Sequence, residues 1–65
     1  MRHFYFIENN TGEEFIVGAN TLEEAWITAD EVDDCISREY QVETDLTFEY
    51  EMDDDEAEAS GLDEY

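Results

Sequence analysis

A chain of 65 residues has material for one small domain, and a domain of that size buries only about 60% of the surface its unfolded chain exposes. Its 21 Asp and Glu stand against two arginines and no lysine, a formal net charge of −19 that excludes nucleic acid and anionic lipid as direct partners and asks for a basic protein surface. The single cysteine, Cys35, excludes an internal disulfide, and no run of about 20 apolar residues offers a membrane span.

Such acidity often marks a disordered chain, but 42% hydrophobic residues and nine aromatics argue for folding. With no hydrophobic signal region at the N-terminus, a soluble protein of a reducing cytoplasm is expected.

Phe4, Tyr5, Phe6 and Ile7 follow one another within Arg2 to Glu8, a β-branched and aromatic run that suits a central strand at least partly covered on both faces. Asn9-Asn10-Thr11-Gly12 supplies turn chemistry, and Glu13 to Ala19 alternates with Phe15 and Val17 on one face, completing a β-hairpin. Gly18, Ala19 and Asn20 mark the break. Thr21-Leu22-Glu23-Glu24 then matches a capping box and opens a helix. Steps of 100° per residue place Leu22, Ala25, Trp26, Ala29, Val32 and Ile36 on one stripe, with Asp33 at its edge. The opposite side carries Glu23, Asp30, Glu31 and Asp34, with Glu24 nearby and Ile27 as a lone apolar residue.

Ser37, Arg38 and Glu39 read as the connection to a long alternating stretch, residues 40–52. Its even positions are Tyr40, Val42, Thr44, Leu46, Phe48, Tyr50 and Met52; its odd positions are Gln41, Glu43, Asp45, Thr47, Glu49 and Glu51. Period-two alternation predicts a strand with one apolar and one acidic face. A bulge near Thr44-Asp45, or division into two strands, is the alternative for so long a run. Connection rules then predict an α+β domain of ββαβ order, with a three-stranded antiparallel sheet in the order 2-1-3 and the helix on one face. That domain spans residues 1–52. Residues 53–65 hold seven acids and two large apolar residues, and are expected to form a solvated, mobile acidic tail that can order against a basic partner with Leu62 and Tyr65 as anchors.

Little in the chain points to catalysis, and no enzyme activity is expected. Cys35 sits among Glu31, Asp33 and Asp34, where negative charge works against a reactive thiolate, and His3 is the only histidine. Asp53-x-Asp55 begins like an EF-hand loop but fails at Ala57 and Glu58, so neither metal nor cofactor is expected.

The acidic rows are the remaining signal. The residues expected to meet a partner are Glu23, Asp30, Glu31 and Asp34 on the helix, Glu43, Asp45, Glu49 and Glu51 on the last strand, and Asp53, Asp54, Asp55 and Glu56 in the tail. Tyr5, Ile7 and Ile16 point to the sheet face that the helix leaves open, where a homodimer is the alternative use.

The stretch from Phe15 to Ala25 resembles a pattern of small bacteriophage and mobile-element proteins, in which a strand ending V-x-A precedes a helix opening T-x-E-E-A. In size, acidity and expected fold the chain resembles acidic phage anti-defence proteins, the anti-CRISPR and DNA-mimic type. The resemblance implies an inhibitor that presents nucleic-acid-like charge to the DNA-binding surface of a bacterial immune complex, a type I CRISPR surveillance complex being one such target. A small dimeric adaptor or structural phage protein and an antitoxin-like neutraliser of a basic protein are the alternatives.

Overall fold

A computed structural model describes residues 1–65. Its elements are β1 (Arg2–Glu8), β2 (Glu14–Ala19), α1 (Leu22–Tyr40), β3 (Leu46–Met52) and α2 (Asp54–Ser60). The strands form one antiparallel sheet in the order β2-β1-β3, as the hairpin and the returning helix require. Gly12, at φ 81°, makes the hairpin turn possible, a conformation in which any Cβ is penalised.

The helical stripe packs as its spacing predicts. Ala25, Ala29 and Ile36 are buried against Phe4, Phe6, Phe15 and Val17, with Leu22, Trp26 and Val32 half-buried around them. Phe6 lies at the centre: Phe15 stacks on it at 5.6 Å and Trp26 meets it edge-on at 5.0 Å, geometries that aromatic quadrupoles favour. At the helix start the Thr21 hydroxyl accepts from the Glu24 amide at 3.2 Å, while the Glu24 carboxylate reaches back to the amide of Asn20 rather than that of Thr21.

Residues 40–52 do not form one strand. The helix runs on through Arg38, which pairs with Asp34 one turn back, and stops at Gln41 in the left-handed region at φ 56°. Neither Gly nor Pro marks that stop. Ser37 supplies it: its carbonyl accepts from the amides of Gln41 and Val42, and its hydroxyl donates to the Val42 carbonyl at 2.8 Å. Residues 42–45 are loop, and β3 begins only at Leu46.

The alternation in β3 is also interrupted. Tyr5 pairs with Tyr50 but Phe6 pairs with Phe48, so Glu49 is an extra residue and the strand bulges there. A bulge reverses which face the following residues address. Leu46 and Phe48 accordingly join the α1 side of the sheet, whereas Met52 joins the other side.

The expected solvated tail is instead a structured element. Asp53 caps α2 by accepting from the Glu56 amide at 2.8 Å, and Ala57 packs on Tyr5, Ile16 and Met52, with Ile7 and Leu62 beside them. Gly61, at φ 70°, ends the helix. The chain then runs parallel to β2: Ile16 donates to the Asp63 carbonyl, Tyr65 to the Ile16 carbonyl and Gly18 to the Tyr65 carbonyl, at 2.8 to 2.9 Å. Leu62 and Tyr65, expected to anchor a partner, anchor this chain to its own sheet. The physical reason is that Tyr5, Ile7, Ile16 and Met52 form an apolar face that α1 cannot reach. Tyr5 and Ile16 are buried there, so the expected dimer face is already covered.

Candidate functional site

All but Glu8, Glu13 and Asp33 of the 21 acidic side chains are exposed. Glu23, Asp30, Glu31 and Asp34 lie on the exposed side of α1. Asp34 is paired to Arg38, and the other three have no cationic partner. Ile27, 65% exposed, stands among them as the helix spacing predicts.

The expected strand row is dispersed. Glu43 and Asp45 sit in the loop before β3, and Glu49 is the bulge residue. Glu51 lies beyond the bulge and opposite Phe4, where Arg2 engages it through two hydrogen bonds of 2.7 and 3.1 Å. The Arg2 guanidinium also lies 5.0 Å above the Phe4 ring and holds the Glu51 carboxyl below its ordinary pKa, chiefly by hydrogen bonding. These four acids therefore do not form a ladder; the bulge and the loop separate them.

In the C-terminal segment Asp53 is a helix cap, Asp55 and Glu56 are exposed, and Asp54 is a clamp. The His3 ring lies between two carboxylates, with Nε2 2.6 Å from Asp54 and Nδ1 2.8 Å from Glu64. Hydrogen bonding to Asp54 and then to Glu64 raises the His3 pKa. His3 thus ties both α2 and the segment after it to β1. The EF-hand-like start at Asp53 is cap chemistry.

Glu8, which no local motif marks out, is fully buried. One oxygen accepts from the Thr11 amide and hydroxyl at 2.7 and 2.8 Å; the other accepts from the amides of Asn10 and Asp45 at 3.2 and 2.5 Å. Burial alone would raise its pKa, but the four donors outweigh it and bring the carboxyl down to about 2. Glu8 joins the β1–β2 turn to the loop that enters β3. Asn9 and Asn10 reinforce that junction by donating to the Asp45 and Glu43 carbonyls. The signal in the sequence was a carboxylate at the end of an apolar strand, followed by a run of turn donors.

A groove of about 600 Å³ lies between α1 and the edge formed by β2 and the C-terminal segment. Phe15, Val32 and Ile36 contribute apolar surface, and Tyr65 meets the Phe15 ring edge-on at 5.8 Å. Tyr40 stands at the rim, 46% exposed, with its hydroxyl donating to Glu13 at 2.5 Å, a bond that raises the Tyr40 pKa. Glu14, Glu31, Glu39 and Asp63 are further rim residues, and no lysine, arginine or histidine lines the groove. Cys35, the lone free thiol, also faces it. Of this set, only Glu31 and the anchor Tyr65 were expected to meet a partner. The rest come together because residues 63–65 add to the β2 edge, a pairing without a local signature.

No helix is long and apolar enough to cross a membrane. No protein-family profile, no curated protein and no solved structure matches this chain.

Proposed function

We propose that this protein is a polyanion mimic: it binds the basic groove of a nucleic-acid-binding protein and excludes the nucleic acid. One observation carries the reading. Both arginines are engaged by carboxylates of the same chain, Arg2 by Glu51 and Arg38 by Asp34, so nearly all the remaining surface charge is negative and is displayed on ordered elements. Carboxylates held by folded backbone lose less entropy on binding than those of a flexible acidic chain, so they compete better with phosphates. Lysines and arginines that grip phosphate would pair with Glu23, Asp30 and Glu31 on α1 and with Asp55 and Glu56 on α2.

The resemblance to acidic phage anti-defence proteins makes a type I CRISPR surveillance complex in the bacterial cytoplasm the first target to test. The test is displacement of fluorescent double-stranded DNA from such a complex, and from a set of unrelated basic nucleic-acid-binding proteins, at rising salt. Displacement at 50 mM salt that falls at least tenfold by 200 mM is expected, because each charge contact formed exchanges counterions. If DNA is not displaced from any of them at low salt, the proposal fails.

A further inference from the structure

We infer that the groove between α1 and the C-terminal segment receives arginine side chains carried on an extended segment of a basic protein partner. The inference deepens the proposed function and takes from it only that the partner is basic.

The walls select the chemistry. Glu31 and Glu39 flank Cys35 on α1, one turn to either side, and Asp63 stands on the opposite wall. None of these three carboxylates has an ion-pair partner, and the chain's two arginines are engaged elsewhere. With no cation of this chain lining the groove, a cation that enters it meets carboxylates on both walls and no opposing charge. Beside them lies exposed aromatic surface, with Tyr40 46% and Tyr65 53% exposed. A ring face beside a carboxylate suits a guanidinium, which is planar, weakly hydrated and able to stack while it forks onto an acid. A lysine ammonium is more strongly hydrated and gains less from the rings.

The geometry also sets how the partner enters. The β2 edge is already paired to residues 63–65, so a partner strand cannot add to the sheet by backbone hydrogen bonds there. Recognition has to run through side chains that reach into the groove. Its volume, about 600 Å³, lies within the range of about 300–1,000 Å³ common for binding pockets and leaves room for a long side chain with part of its backbone.

Cys35 reports occupancy directly. The probe is an acetylated pentapeptide alternating arginine and glycine, with a lysine counterpart, added to the intact protein while Cys35 alkylation and backbone amide shifts are followed. The arginine peptide is expected to slow alkylation and to shift the amides of Phe15, Val32 and Tyr65. It should also bind more tightly than the lysine peptide. The combined substitution Glu31→Gln, Glu39→Gln and Asp63→Asn should weaken the arginine peptide roughly tenfold, whereas the charge-matched Glu43→Gln, Glu49→Gln and Glu58→Gln, all exposed and outside the groove, should change it less than about threefold. Equal weakening by the two variants, or an unprotected Cys35 at saturating peptide, overturns the inference. The DNA-displacement assay separates this from the wider reading: displacement without groove occupancy leaves mimicry standing and removes the groove, and groove occupancy without displacement does the reverse.

Discussion

Replacing Glu8 with glutamine keeps the shape of a buried side chain while removing its charge. A carboxyl that titrates at about 2 when folded and near 4.5 when unfolded contributes about 3 kcal/mol at neutral pH. A 65-residue domain has roughly 3–10 kcal/mol in total, so this one junction carries a large share. The sign follows from the direction of the displacement. A depressed carboxyl pKa means the stabilisation is fully present above pH 4.5 and is lost as pH falls toward 2. In Glu8→Gln the amide nitrogen must face either the Thr11 donors or the amides of Asn10 and Asp45, so two donors lose their acceptor and the loss is about 2–4 kcal/mol. Urea denaturation of both proteins from pH 7 to pH 2 isolates the effect, because the other twenty acids titrate in each and cancel in the difference. The difference should be near its maximum at pH 6 and shrink steadily below pH 4.5. A difference that stays constant across that range would refute the argument that Glu8 is held ionised by its four donors.

The remaining expectations concern the clamp, the bulge and the second sheet face. His3 has a raised folded pKa, so its contribution is complete below about 6.5 and is lost as pH rises through the folded value. Hydrogen exchange at the Ala57 amide should therefore accelerate from pH 6 to pH 9 beyond the intrinsic base dependence, and His3→Gln should abolish that excess. Deleting Glu49 restores strict alternation and forces either Phe48 off the α1 side or Met52 off the α2 side; a loss of about 2–4 kcal/mol by chemical denaturation is expected. Ala57→Asp places a carboxylate against Tyr5, Ile16 and Met52, and should release α2 at a cost of about 2 kcal/mol, with dye binding to the uncovered face and self-association in sedimentation.

Much of the fold was legible because its determinants are local. The turn at Asn9 to Gly12, the Thr21 cap and the stripe from Leu22 to Ile36 each depend on residues within a few positions, and together they allow only one simple sheet order. The exposed acids of α1 followed from the same periodicity. Local pattern misleads where it disagrees with long-range contact. Alternation from Tyr40 to Met52 is compatible with a strand, but Ser37 ends a helix within it and the Glu49 bulge reverses its face. Asp33, the misfit at the edge of the helical stripe, accepts from the Thr44 hydroxyl at 2.6 Å and so belongs to that same loop junction.

The sequence by itself determined a hairpin, one amphipathic helix, the antiparallel sheet in the order 2-1-3 and a surface dominated by carboxylates. Periodicity and capping act over one or two turns of chain and leave their marks in neighbouring residues. Only the tertiary structure decided that the acidic C-terminal segment folds back, that His3 holds it and that Glu8 joins two distant loops. Those outcomes depend on an apolar sheet face needing cover and on buried donors needing an acceptor, requirements that exist only after residues far apart in the chain have met.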